Sequence, residues 1–298
     1  MAELTASVQS PAHYTERTIW QRARTLPLTL WVGAAILVIY VIIAITGPWW
    51  IPYSYKEIGT APPLSQPSAA HWLGTDQLGR DVFSRVVYGT RYVMLLSLSG
   101  TVLGLVVGAF LGLLSGYLRG WFDDVIMRVS EALISIPFIV LGLVIIAAAG
   151  AKASGNPLLL IGVVGILYAP RIARMARACA LELSTRDFVT AARLRGESAW
   201  NIVVRELLPN ASGTLLVEFA VRAGYAPVLI GTLGFLGFGA RPPTPEWGLM
   251  LSENRSALVA APATVLGPGV ALALLVVGLN LCTEGVARIV GRTAQRRP

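Results

Sequence analysis

Long apolar segments alternate with polar segments along the 298-residue chain. A bilayer core about 30 Å thick is crossed by about 20 residues of helix, and most of these segments reach that length. They lack the strict alternation of membrane β-strands, and backbone groups in lipid must find their partners within the segment. The pattern therefore predicts six transmembrane helices, at about 28–46, 92–116, 129–149, 158–172, 212–233 and 264–286.

The polar segments divide the chain into a tail and one membrane domain. We expect a cytoplasmic N-terminal tail at 1–27 and a domain of six spans at 28–298. The tail lacks the features of a cleaved signal peptide, because its polar start is long and no small-residue cleavage site follows the first apolar run. The longest connections within the domain lie at 47–91, 173–210 and 234–263.

Basic residues favour one side of the predicted membrane. The chain has 24 Lys and Arg against 16 Asp and Glu, and with the N-terminus inside about two thirds of the basic residues fall in inner segments or at inner span ends. Cytoplasmic loops carry such an excess, so 173–210 and both termini are expected in the cytoplasm, and 47–91 and 234–263 outside. We expect a multi-pass protein of the plasma (inner) membrane that contacts a lipid bilayer and no nucleic acid.

Residue types suited to catalysis or metal binding are scarce. The only lysines are Lys56 and Lys152, and neither stands in the Gly-x-x-x-x-Gly-Lys-Ser/Thr pattern that cradles nucleotide phosphates. The only histidines, His13 and His71, and two distant cysteines give neither a Ser-His-Asp set nor metal-ligand spacing. We expect no catalytic residue, metal or cofactor in this chain, and an energy source in a partner subunit or an ion gradient.

The inner segment 173–210 is polar and helix-forming. Its amphipathic pattern predicts a helix that packs on one face against lipid headgroups, the protein's own helices or a soluble partner. We expect Ser184 or Asp187 to cap its start, a turn at Gly196, and a stop at Pro209.

The outer segment 47–91 contains a dense run of small and charged residues. Its glycines suit turns, and its four charged residues are spaced to form an ion-pair network. This favours a structural role for the charges over direct contact with a solute. The residues of the run are Gly74, Thr75, Asp76, Gly79, Arg80, Asp81, Ser84 and Arg85.

The inner segment also carries a motif that resembles the signature of bacterial ABC importer permeases: Glu-Ala-Ala, three residues, Gly, nine residues, then Ile-x-Leu-Pro. Two positions depart from it, since Thr190 replaces the Glu and Glu206 replaces the Ile. In that family the segment is a coupling helix that docks on an ATPase subunit, so the resemblance implies the same role here. The motif positions are Thr190, Ala191, Ala192, Gly196, Leu208 and Pro209.

The outer run, from His71 to Arg85, resembles more specifically the second permease subunit of dipeptide, oligopeptide and nickel importers, and the resemblance extends through 246–251. It implies an all-α integral membrane protein with the type I ABC importer permease fold. It further implies an ATP-driven importer in which this chain forms half of the translocation pathway for di- or oligopeptides, by alternating access.

The same resemblance implies the partners. These are a second homologous permease subunit, one or two ATPase subunits that bind ATP and Mg, and an extracytoplasmic solute-binding protein. A secondary transporter or channel not coupled to ATP remains an alternative, as does an importer permease for nickel or another small solute.

Glu218 and Arg222 lie four residues apart in the fifth span and share one helix face. Charges inside a membrane are costly and usually face a cavity or a partner. Two interpretations remain open: the pair lines the path of a peptide with charged termini, or it neutralises itself and stabilises packing. Asn280 and Glu284 in the sixth span allow the same two interpretations.

Overall fold

The computed structural model describes residues 27–150, 153 and 155–294, so nearly all of the predicted tail and the last four residues lie outside the described part. Regular structure in the described residues is helical, apart from an isolated bridge between Thr75 and Asp81. The helices are α1 Leu28–Trp50, α2 Val82–Leu118, α3 Gly120–Ser135, α4 Phe138–Ala148, α5 Pro157–Leu183, α6 Asp187–Leu194, α7 Ala199–Phe235, α8 Trp247–Asn254 and α9 Ala263–Ala294.

Five of these helices are long and apolar enough to cross a membrane: α1, α2, α5, α7 and α9. The pair α3 and α4 passes the same test together, which gives up to six spans, but the two helices are bent by 100°. The prediction of one continuous helix at 129–149 is therefore wrong. Pro137 explains the break, because proline disfavours helical backbone in the residue before it, and Ile136 is extended with φ −79° and ψ 133°.

Helices α2 and α5 form the most extensive helix–helix contact in the described residues. A seam of glycines on α2, four residues apart, permits this close approach. A Cβ at Gly108 would lie 2.5 Å from the carbonyl oxygen of Ala169, and one at Gly116 would lie 2.7 Å from that of Arg177. The small residues of α2 thus let the two helix backbones approach closely.

Helix α7 does not stop at Pro209, and that prediction is wrong. One wide turn of π-helix at Ile202–Leu207 precedes the proline, and the N–H of Leu208 donates to the carbonyl oxygen of Val203. Pro209 lies in the first turn after this segment, where its missing N–H and its ring are tolerated. The helix therefore runs from the polar segment 173–210 into the fifth predicted span without interruption.

The largest apolar core lies between α2, α4, α5, α6 and α7. A second, smaller core surrounds Trp247 and joins α8 to α1, α2 and α9. Much of α1 and α9 presents apolar side chains outward, as at Val38 and Val277. Such faces suit contact with lipid tails or with other apolar helices.

Candidate functional site

Helix α6 is held at one end of the bundle by its buried face. Val189 and Ala192 belong to the large apolar core, and the guanidinium of Arg193 lies 5.0 Å from the ring centre of Tyr117 at the end of α2. The predicted cap is wrong, because Arg186 is the N-cap residue and no side chain bonds the free N–H groups. Asp187 instead places a negative charge in the first turn, which the helix dipole favours.

The opposite face of α6 is exposed. Thr190 and Ala191 lie on it, and Leu194 is 85% exposed although it is apolar. The two alanines of the motif therefore point in different directions, since Ala192 packs inward and Ala191 faces out. An exposed leucine beside small residues forms a surface suited to a soluble partner.

The turn after α6 depends on Gly196, as predicted. Its φ is +74°, and a Cβ there would have no neighbour within 4 Å. Arg195 braces the turn, because it lies 2.7 Å from Glu197 and 3.6 Å from Glu206. Glu206, one of the two residues that depart from the family signature, thus contributes an ion pair to the turn. Leu208 and Pro209 lie beyond the turn, both exposed, in the first part of α7.

The predicted ion-pair network of the outer run is confirmed for Asp76, Arg80 and Arg85. Arg80 Nε lies 2.6 Å from Asp76 Oδ2, and Arg85 lies 3.6 Å from the same oxygen. Glu253 of α8 completes the network, at 2.8 Å from Arg80 and 3.2 Å from Arg85. The sequence pattern did not reveal Glu253, which lies just after the 246–251 stretch that resembles the family.

Asp81 belongs to a separate arrangement at the start of α2. Its Oδ2 accepts a hydrogen bond from the N–H of Ser84 at 2.7 Å and caps the helix, while Oδ1 lies 2.9 Å from Nδ1 of His71. Ser84 Oγ in turn accepts from the N–H of Tyr53. These bonds fix the loop before α2 against the N-terminal end of that helix.

The two glycines and the threonine of the run shape the same loop. Gly74 and Gly79 have φ of +70° and +67°, and a Cβ at Gly74 would overlap the carbonyl oxygen of Ser65. Thr75 Oγ1 donates to the carbonyl oxygen of Pro62 at 2.6 Å. The predicted turns at these glycines are confirmed.

Glu246, which the sequence pattern also did not reveal, is a buried carboxylate at the N-terminus of α8. Its oxygens accept from the N–H groups of Gly248 at 2.8 Å and Leu249 at 2.9 Å. Burial raises the pKa of this carboxyl to about 7, and the two hydrogen bonds oppose the shift only in part. A Cβ at Gly234 would overlap the carboxylate, so α7 must present glycine there.

Glu218 and Arg222 are paired on α7, with Arg222 Nε donating to Glu218 Oε1 at 2.9 Å. Glu218 is buried, whereas Arg222 faces a cavity of about 340 Å³ between α4, α5 and α7. In α9, Asn280 bonds its own helix and packs against Gly224, and Glu284 pairs with Arg288. The cavity is lined by Phe138, Ile139, Tyr168, Arg171, Arg222, Tyr225, Val228, Leu229 and Thr232.

A helical membrane domain with an exposed amphipathic helix at one end and a charged cavity within it is typical of a transport component. Residues 104–296 match the family described as binding-protein-dependent transport system inner membrane component. The chain belongs to this family, and the sequence-based resemblance is confirmed.

Relatives and solved structures agree with this assignment. The chain is 35% identical over 271 residues to the glutathione transport system permease protein GsiD of Pectobacterium atrosepticum, covering 91% of this chain and 88% of the relative. It is 36% identical to the dipeptide transport system permease protein DppC of Alkalihalophilus pseudofirmus, covering 86% and 83%.

The fold likeness is to the MetNI methionine ABC transporter in an inward-facing conformation. The TM-score is 0.55 at 23% identity, over 70% of this chain and 95% of that chain. The predicted type I importer permease fold is therefore confirmed. The chain is a multi-pass permease component of the inner membrane.

Proposed function

We propose that this chain is one of two permease subunits of an ATP-driven importer for dipeptides or other small peptides. The observation that carries the proposal is the similarity to glutathione and dipeptide permeases along most of the chain. Glutathione and dipeptides share a short peptide backbone with charged ends, so a small peptide is the solute class common to both relatives. An importer for nickel or a transporter independent of ATP has no comparable support.

Helix α6 receives the movement that ATP binding and hydrolysis drive in the partner subunit. Its exposed residues Thr190, Ala191 and Leu194 form the docking surface for an ATPase subunit, and the following turn at Gly196 belongs to it. The buried residues Val189 and Ala192 transmit the movement of that partner to α2, α5 and α7 through the common core. The braced turn supports this role, because a rigid connection moves with its partner.

The solute passes along the cavity between α4, α5 and α7. Arg222 provides charge on its wall, and Glu218 holds that arginine in place. A second, homologous permease subunit closes the open side of this cavity and supplies the other half of the path. In this arrangement α6 and both termini lie in the cytoplasm, and the segments that contain Asp76 and Glu253 lie outside.

The outer ion-pair network forms a rigid platform for the solute-binding protein. Asp76, Arg80, Arg85 and Glu253 join the outer loop to α8, and Arg85 is fully buried. A platform of this kind keeps its shape while the transmembrane helices move beneath it. The charges therefore stabilise the loop and do not contact the solute.

Co-purification tests the proposed assembly directly. The chain is expressed together with the products of its neighbouring genes and purified in mild detergent. The proteins that co-purify with it are identified by mass spectrometry. We expect a P-loop ATPase and a second permease of the same family. A chain that purifies alone, and that moves peptide in liposomes without ATP, would overturn the proposal.

A further inference from the structure

The break between α3 and α4 places the N-terminus of α4 against the cavity. Phe138 and Ile139, the first two residues of this 11-residue helix, both line it. Pro137 is the N-cap residue and makes no side-chain cap, so the first N–H groups of α4 receive no capping hydrogen bond from it. A helix start of this kind favours an anion, and half-helices in transporters commonly present their N-termini to anionic solutes.

Tyr168 gives an independent indication that a polar ligand belongs here. The residue lines the cavity and is only 2% exposed, yet its hydroxyl has no hydrogen-bond partner among the described residues. A buried hydroxyl without a partner costs free energy. Arg171 and Arg222 line the same cavity as Tyr168. The tyrosine and the two arginines therefore lie on the wall of one cavity.

The charge in this region is not balanced by the protein. Arg222 is neutralised by Glu218, but Arg171 has no carboxylate within ion-pair distance in the described part of the chain. Its guanidinium lies 5.4 Å from the ring centre of Phe138, which stacks on Tyr168 with the ring centres 5.6 Å apart. This cation–π contact does not use the N–H groups of the guanidinium as hydrogen-bond donors, so they can donate to an anion. One net positive charge thus faces the cavity.

From these observations we propose that Arg171, with the Tyr168 hydroxyl and the α4 N-terminus, binds the C-terminal carboxylate of the peptide during its passage. The proposal rests on the proposed function, which supplies the peptide. Arg222, neutralised by Glu218, lies at the edge of the site, while Phe138 and Tyr225 contact the apolar parts of the solute. The cavity of about 340 Å³ falls within the range of about 300–1,000 Å³ typical of small-molecule sites.

The test compares a dipeptide with its C-terminal amide, using the complete importer in proteoliposomes with the binding protein saturated by either peptide. Arg171→Gln removes the charge, and Arg174→Gln, on the exposed face of α5, is the matched control. We expect Arg171→Gln to lower uptake of the free dipeptide about tenfold, because a charged hydrogen bond is lost, and to leave the amide unchanged. Arg174→Gln should change neither.

Tyr168→Phe provides a second variant that keeps the ring and its stacking. We expect it to reduce uptake of the free dipeptide by a smaller factor and to spare the amide. Equal losses for both peptides in Arg171→Gln, or no loss, would overturn the carboxylate site.

Two further outcomes are informative. One distinguishes a peptide carboxylate from a lipid phosphate as the ligand of Arg171, and the other distinguishes failure of the carboxylate site from failure of the proposed function. If Arg171 binds the phosphate of a lipid headgroup instead, Arg171→Gln loses co-purified anionic lipid and transports both peptides equally poorly, which refutes the peptide site. If the wild-type importer shows no ATP-dependent uptake of either peptide, the proposed function itself fails. Normal wild-type uptake with an unaffected Arg171→Gln variant refutes only the carboxylate site.

Discussion

At the scale of single residues, buried charge in this chain follows two different rules. The outer network satisfies each buried charge with an opposite one, as Arg85 and Glu253 do at 3.2 Å. Among the described residues, Glu246 has only N–H groups as hydrogen-bond partners, and its pKa is raised to about 7 because burial disfavours the charged form. The second arrangement depends on pH.

Glu246 therefore makes stability fall as the pH rises. Its folded pKa of about 7 lies above the ordinary value of 4.5, so the folded state holds the proton more tightly than the unfolded state. Its contribution is fully present below pH 4.5 and is lost as the pH rises towards 7. We expect Glu246→Gln to remove this part of the pH dependence, measured as melting temperature in detergent from pH 4.5 to 7.5.

A control for this measurement is present in the outer loop. Glu57 is exposed, and Glu57→Gln should follow the wild-type curve. A Glu246→Gln variant with the same pH slope as the wild type would show that folding does not raise the pKa of this carboxyl.

At the scale of helices, the glycine seam of α2 sets the distance to α5. Gly108→Ala would bring a Cβ to 2.5 Å from the carbonyl oxygen of Ala169, and the backbone must move to relieve it. We expect a loss of about 1–3 kcal/mol, seen as a lower melting temperature. Gly162→Ala on α5 is the matched control, because no atom lies within 4 Å of its added Cβ, and it should be neutral or mildly stabilising. Equal effects would refute the packing role.

The turn between α6 and α7 allows a test of coupling through α6. Gly196→Arg adds a bulky charge to the proposed docking surface, so ATP-dependent uptake should be abolished while the protein still reaches the membrane. Gly59→Arg is the matched control, because Gly59 has a similar positive φ of +72° and open space but lies in the outer loop. Normal uptake by Gly196→Arg would contradict coupling through α6.

Helices were predictable where one periodic pattern decides them. The five long spans and the glycine seam follow from runs of apolar and small residues. The prolines were harder to interpret, because the helix breaks at Pro137 but continues through Pro209. The difference lies in the backbone around each proline: a π-helical turn removes the conflict at Pro209, and a local hydropathy pattern does not reveal it.

At the scale of the whole molecule, the candidate site depends on contacts between distant segments. The pair Glu218 and Arg222 was predictable, because four residues within one helix fix their distance. Arg171 was not, since it lies 51 positions before Arg222 and meets the cavity only after α4, α5 and α7 pack. Glu253 was not predictable for the same reason, because it meets the outer network only after α8 packs.

The permease fold and the family are established for this chain by the family match and the structural likeness. In the mechanism that we propose, the subunit is driven from outside itself. Its membrane helices form a path, its cytoplasmic helix receives movement, and its outer loop provides a platform. These roles require the complete importer.

ATP-dependent peptide uptake by the reconstituted complex tests the proposed mechanism most directly. The two permeases, the ATPase subunits and the binding protein are placed in liposomes, and uptake of a labelled dipeptide is followed with internal ATP or with a non-hydrolysable analogue. We expect uptake only with ATP and only with the binding protein present. Uptake that persists without ATP, or that is driven by an ion gradient alone, would contradict ATP-driven import through this chain.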